Sequence, residues 1–299
     1  MYPNANDTPM SYSNTMLRLK KSSIRVTDIA SQYWCEKQME LSSIHGWPFT
    51  KAMKAGKEIH AQLQEKAFDH VAAKPLTFAD SFYKIALEDI LCIKRLNETG
   101  MCREFRIYGS INGYKIAGSI DQMELDGGKI RIIEHKTVQK RNSLDEVSTR
   151  PHRVQALVYK KLLDDIINRE YTFANFSASY GVDRLFMSEE FMKELEKSGG
   201  QRKEMTNTYA WKKMFEEAAA LKGTSEDITV RYLDKATGEV IENLEVRYSK
   251  EETDRYITNA MKYWNGQREA MPVVESENWK CNSCRFFGKE CKVWWKDGT

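Results

Sequence analysis

No run of about 18 apolar residues occurs in this chain, so nothing in the sequence predicts a membrane-spanning helix. The first 20 residues lack the apolar core of a secretory signal. Arg18, Lys20, Lys21 and Arg25 against the single acid Asp7 make only a weak match to a transit peptide. The expectation is an intracellular protein with no membrane partner: nuclear or mitochondrial in a eukaryote, cytoplasmic otherwise. Net charge is also scant, because 46 Lys and Arg nearly balance 43 Asp and Glu. Any electrostatic partner must therefore be met by a local patch rather than by the chain as a whole. No internal repeat is present, which excludes a solenoid. Cysteine is sparse, at six in 299 residues. Without a secretion signal a reducing compartment is expected, which places metal binding ahead of disulfides.

What is present reads as a globular protein, 41% apolar and 30% charged. No linker divides it, so residues 24–299 are expected to form a single domain after a polar, disordered tail over 1–23. Thr27 or Asp28 is a candidate cap for a helix carrying "IASQYWCEKQMEL", followed by helices over "TKAMKAGKEIHAQLQEKAFDHV" and about Ser81 to Asn97. "REFRIYG", "YKIAGSIDQMEL" and "KIRIIEHKT" then predict an antiparallel meander, with turns at Ser110–Gly113 and "DGG". Val154, Val158, Leu162 and Ile166 recur at four-residue steps on a further helix. A strand is expected near "YTFANFSASYG". Residues 189–222 read as a charged helical insertion broken at Gly199–Gly200. A hairpin around "DKATGE" and a helix from about Glu251 to Glu269 lead to a cysteine-rich end.

Chemistry concentrates on the meander. Glu134 and Lys136 lie two apart on a strand and so share a face. An isolated pair of this kind is ordinarily a surface ion pair. Asp121, however, stands in the middle of the neighbouring strand, where aspartate is disfavoured. Two carboxylates and a lysine at a strand end suit phosphodiester hydrolysis assisted by Mg²⁺, with Mn²⁺ as a substitute. His60 in "GKEIH" is a candidate further ligand. Gln155 and Tyr159 sit four apart on one helical face, and a glutamine in the phase of the apolar stripe needs a partner. Lys140, Arg141, Arg150 and Arg153 surround this region with positive charge fit for phosphates. Trp211 and Tyr263, with basic neighbours, are candidates for base stacking in a strand-tracking groove, with 189–222 as an arch or cap over the metal site.

Cys281, Cys284 and Cys291 lie close together among Trp279, Phe286, Phe287, Trp294 and Trp295. A tetrathiolate site needs a fourth ligand, for which Cys35 is the candidate. Cys92 and Cys102 read as small buried residues. Four thiolates are compatible with zinc or with an iron–sulfur cluster.

The ordered set "RVTDIASQYWCEKQMEL", "GKEIH", "CREFRIYG", "AGSIDQMEL", "IEHKT", "RVQALVYKKLLDD" and "WKCNSCRFFGKEC" resembles the exonuclease V (defects-in-morphology) family of RecB-like PD-(D/E)xK nucleases, over about Ile24 to Trp295. The resemblance implies an α/β fold: a restriction-endonuclease-like core with a central mixed sheet flanked by helices. It implies a single-stranded-DNA exonuclease that acts in repair or genome maintenance, threads a free end and works as a monomer, with a single-strand-binding protein as a further partner. His60, Asp121, Glu134 and Lys136 match the family's catalytic positions, and Gln155 and Tyr159 its QxxxY motif. Cys35, Cys281, Cys284 and Cys291 match the ligands of a [4Fe-4S] cluster that joins the two chain ends over 279–295. The alternatives are a CRISPR-associated iron–sulfur nuclease and a non-catalytic DNA-binding module.

Overall fold

The computed structural model describes residues 14–47, 73–139 and 144–293. The helix expected over "TKAMKAGKEIHAQLQEKAFDHV" lies outside these residues. In chain order the elements are α1 (Asn14–Arg18), β1 (Ile24–Arg25), α2 (Val26–His45), α3 (Phe78–Thr99), β2 (Met101–Ile111), β3 (Tyr114–Asp126) and β4 (Lys129–Val138). Then follow α4 (Glu146–Ile167), α5 (Phe173–Tyr180), α6 (Glu189–Lys197), α7 (Asn207–Ala219), β5 (Asp227–Asp234), β6 (Val240–Arg247) and α8 (Lys250–Trp264), with a 3-10 stretch at Glu275–Ser283. Among them no helix is long and apolar enough to cross a membrane.

The strands form one mixed six-stranded sheet flanked by helices. The meander forms as expected. Asn112 and Gly113 both take positive φ, as do Gly127 and Gly128, so both turns are two-residue connections that fit the strands' twist. β4 leaves β3 and runs parallel to β5, from Ile133↔Thr229 to Val138↔Asp234, and β5 pairs antiparallel with β6. β3 carries β2 along one edge. Its other edge is shared. β1 pairs with Ile116 and Ala117, and β4 pairs only from Gln122 to Asp126. Residues 118–121 face the interval between the two.

Helix ends follow local chemistry. The Thr77 hydroxyl accepts the Asp80 N–H at 3.1 Å while the Asp80 carboxylate accepts the Thr77 N–H at 2.9 Å, a reciprocal cap that starts α3. Asp145 starts α4 by accepting from Ser148 N–H at 2.8 Å. At α2 the expected caps are displaced. Arg25 holds the cap position, and Asp28 lies inside the first turn, where it accepts the Arg25 N–H and the Lys21 ammonium.

Three further expectations are corrected. "YTFANFSASYG" forms helix α5, not a strand. Its aromatic content suggested β structure, but Asn175 caps Thr172, Gly181 closes the helix at φ 62°, and one turn suffices to bury Phe176. The tail expected to be disordered to residue 23 is ordered from Asn14, because Met16 and Leu19 sit at 1% and 5% exposure in the core and the Thr15 hydroxyl donates to the Tyr263 carbonyl. Cys92 and Cys102 are buried as expected, but they form a disulfide, since α3 crossing β2 brings their Cα atoms to 5.3 Å.

Residues 189–222 are helical with a break at Gly199–Gly200, as the pattern implied. Helix α7 packs on α3, where Asn207 donates to the Ala79 carbonyl at 3.1 Å. Trp211, expected to stack on bases, is fully buried against Phe82, Tyr108 and Phe176, and Tyr263 is equally buried. Helical spacing placed both on the inner faces of α7 and α8. Met16→Ala should cost about 2–5 kcal/mol of stability in urea unfolding, whereas Leu17→Ala, at 63% exposure, should change it by less than about 0.5 kcal/mol.

Candidate active site

The interval in the edge of β3 leaves backbone groups that water or side chains must satisfy. Side chains do so at both ends. The Tyr159 hydroxyl, from α4, lies beside the Ser119 N–H. The Asp121 carboxylate accepts the His135 N–H at 2.7 Å, where β4 has already turned away. Gly118 makes room for this arrangement, since a Cβ there would lie 2.6 Å from the Tyr159 ring. The register that pairs Gln122 with Ile133 brings Asp121 beside Glu134, and the two carboxyl groups are in hydrogen-bond contact.

Around this pair the side chains lock one another. Glu134 is 2% exposed. Its Oε1 accepts from Lys136 Nζ at 2.8 Å and from Gln155 Nε2 at 2.6 Å. Gln155 Oε1 accepts a second Lys136 hydrogen bond at 2.8 Å, and its Nε2 also donates to the Tyr159 hydroxyl at 3.3 Å. The partner set fixes the amide's orientation, with oxygen to the cation and nitrogen to the anion. The ExK pair read from the sequence is thus no exposed ion pair but the floor of a buried network.

Burial raises the Asp121 carboxyl above its ordinary range. The Glu104 charge raises it further, while Lys136 and the His135 N–H oppose the rise. Burial, reinforced by the Glu134 and Asp121 charges, holds Tyr159 well above 10, so it stays a neutral phenol. Among groups that sequence reasoning missed, Glu104 is foremost. The flanking pairs Arg103↔Gln122 and Phe105↔Ile120 set it opposite Asp121, its backbone takes φ 56° inside a strand, and Ser119 donates to it at 3.0 Å. The signal was available, since an acid in the middle of "CREFRIYG" is as irregular as Asp121. His152 is the second. Burial, with Lys136 alongside, pulls it down to about 3, so it is neutral beside the site and contacts the Tyr232 hydroxyl at 3.0 Å.

His60, Lys140 and Arg141 lie outside the described residues. Arg150 pairs with Glu277 at 3.1 Å and Arg153 with Glu252 at 3.1 Å, tying α4 to the 3-10 stretch and to α8. Helical phase turned these two toward neighbouring elements, which local charge alone does not reveal.

The cysteines converge elsewhere. Cys35, Cys281, Cys284 and Cys291 line one cavity with Leu41 and Phe286. Helix α2 is interrupted at Cys35 (φ −166°, ψ 113°), which lets the thiol accept N–H groups from Gln38, at 3.4 Å, and Val273. Burial pushes the Cys35 thiol up to about 11, and burial with the other thiols raises Cys291. Direct contacts already hold the C-terminal segment on α2: Glu36 pairs with Arg268 and accepts the Met271 N–H at 2.9 Å, and Lys280 donates to the Trp34 carbonyl at 3.1 Å.

Among the described residues no three His, Cys, Asp or Glu side chains close on a single point as a preformed ion site. The active-site donors are two adjacent carboxylates with an adjacent carbonyl at His135, a hard oxygen set suited to Mg²⁺ or Mn²⁺. The four thiols line one apolar cavity, a donor set compatible with an iron–sulfur cluster or with one tetrahedral zinc.

A family model described as "Exonuclease V - a 5' deoxyribonuclease" matches residues 15–128 and 210–296, more than half of the chain. Exonuclease V of Danio rerio is 23% identical over 288 residues, covering 91% of this chain and 70% of that one. Among solved structures, SSO0001 aligns at 16% identity and TM-score 0.39, covering 91% of each chain. A candidate exonuclease from Eubacterium rectale aligns at 13% identity and TM-score 0.37, covering 91% of this chain and 92% of that one.

Because the folded state holds the Asp121 proton more tightly than the unfolded chain, ionising it costs stability as pH rises from about 4 through the raised value. Metal-free Asp121→Asn should therefore melt above the wild type at pH 8, with the gap closing below about pH 4. Mg²⁺ should raise the melting temperature of the wild type and leave the variant unchanged.

Proposed function

The chain belongs to the exonuclease V family, and on that footing we propose that this deoxyribonuclease hydrolyses single-stranded DNA from a free 5′ end, with Mg²⁺ held by Asp121 and Glu134, in DNA repair or genome maintenance. The observation that carries the reading is the pair of adjacent carboxylates whose neighbouring cation, Lys136, is gripped by both Glu134 and Gln155. When bound, the metal supplies a more acidic water and neutralises charge on the scissile phosphate. The protein's own groups do the rest. Lys136 orients the attacking water and offsets phosphate charge. Gln155 sets the ammonium's position, and neutral Tyr159 closes the sheet behind it. His152, neutral, leaves Lys136 as the positive charge at this wall. Lys140 and Arg141 are further candidates for phosphate contact, and His60 for a metal ligand.

The four thiols are proposed to hold a [4Fe-4S] cluster. Since Cys35 and Cys291 are protonated in the metal-free protein, loading must release protons and is favoured by rising pH. The cluster would reinforce the contacts between α2 and the C-terminal segment and stands apart from the carboxylate pair. A single-strand-binding protein is the partner expected to present the substrate.

Linear single-stranded DNA should be degraded with Mg²⁺ and spared with EDTA, blunt duplex attacked little and single-stranded circles almost not at all; rapid cutting of circles would overturn the need for an end. Asp121→Ala and Lys136→Ala should each lose about 10²-fold or more in kcat while retaining DNA binding. Protein purified without oxygen should be brown, with iron and sulfide near about four each per chain. Cys284→Ser should lose them and Cys92→Ser should not. Zinc at about one per chain without sulfide would contradict the cluster.

A further inference from the structure

Beside the carboxylates lies a groove of about 420 Å³ between α2 and the start of α4, lined by Lys136 and Gln155 at the catalytic wall and by Ser148, His152, Gln38 and Trp34 beyond. Its size is that of a site for one small ligand, a class that spans about 300–1,000 Å³. Among the described residues no carboxylate lines it. With His152 neutral, its wall offers one ammonium, hydroxyls and amides, which suits a phosphodiester rather than a cation.

Trp34 gives the groove an aromatic wall. The indole is half-buried and held in place: Trp279 packs edge-on against it at 5.5 Å, and Lys280 Nζ lies 4.5 Å from its ring centre. Trp279 is itself 45% exposed, so an aromatic surface continues from the groove to solvent. A fixed aromatic surface next to a phosphate-binding wall is what sequence-tolerant recognition of an unpaired base requires. Trp34 and Gln38 also line the thiolate cavity, so one stretch of α2 forms a wall of both.

We propose that this groove seats the nucleotide next to the scissile phosphate, with its base stacked on Trp34 and its backbone against Lys136 and Ser148. The proposal rests on the single-stranded DNA reading above and adds to it a stacking residue that makes unpaired bases the preferred substrate.

The test moves a single abasic site along a linear single-stranded oligonucleotide, using the cluster-loaded enzyme. Cleavage is followed with Mg²⁺, and binding by anisotropy with Ca²⁺, where turnover is suppressed. The wild type should show one position, next to the cut, at which loss of the base raises KM and Kd about tenfold. Trp34→Ala should bind the intact strand about tenfold more weakly and lose the position dependence, while Trp34→Phe should restore both in part. A wild type indifferent to abasic sites, or a Trp34→Ala variant with the wild-type position dependence, overturns the proposal even if cleavage of single strands stands. The wild-type scan decides this even if Trp34→Ala fails to fold. A wild type that neither binds nor cuts single strands overturns the underlying reading as well.

Discussion

One strand edge organises this molecule. β3 pairs with β1 at Ile116 and Ala117 and with β4 from Gln122 onward, and the interval 118–121 belongs to neither. Buried backbone donors left by such an interval are costly unless side chains meet them. Asp121 accepts the His135 N–H, and the Tyr159 hydroxyl lies beside Ser119. The groups that satisfy the backbone are also the groups that build the floor of the candidate site. The geometry of chemistry and the integrity of the sheet therefore depend on the same hydrogen bonds. A carboxylate kept above its ordinary range by burial is unfavourable for the metal-free fold, and a divalent cation at that spot relieves the cost.

The second organising feature lies at the far end of α2. The helix is broken at Cys35, which turns a thiol and two N–H contacts toward the C-terminal cysteines. Glu36, the next residue, ties down Arg268 and Met271. Trp34, the preceding one, lines both the thiolate cavity and the groove that begins at Lys136. Three consecutive residues thus connect the thiol cavity, the C-terminal segment and the groove proposed to seat substrate. Damage to the cavity should reach substrate binding through this helix rather than through the carboxylates.

The meander, its two turns, and the neighbourhood of Asp121, Glu134, Lys136, Gln155 and Tyr159 were legible because each rests on a local rule: strand alternation, positive-φ turn residues, helical phase. The convergence of Cys35 on the C-terminal cysteines was legible from the need for a fourth thiolate and from family resemblance, because no local rule links residues so far apart. The aromatic residues misled. Trp211 and Tyr263 have basic sequence neighbours, but the neighbours that decide their fate are Phe82, Phe176 and Glu40 in space. The ion pairs of Arg150 and Arg153 were likewise out of local view, since their partners Glu277 and Glu252 lie about a hundred residues away. Glu104 was overlooked, although an acid within a strand is itself a signal.

The dependence of catalysis on the filled interval in β3 is tested most directly at Gly118, where a single methyl group would meet the Tyr159 ring at 2.6 Å. The measurement is the turnover of linear single-stranded DNA by Gly118→Ala, with folding checked by circular dichroism and metal content. The account predicts a loss of about 10²-fold in kcat with the fold and metal content retained, because displacing Tyr159 moves Gln155 and Lys136. Turnover at the wild-type rate in a folded Gly118→Ala protein would contradict it.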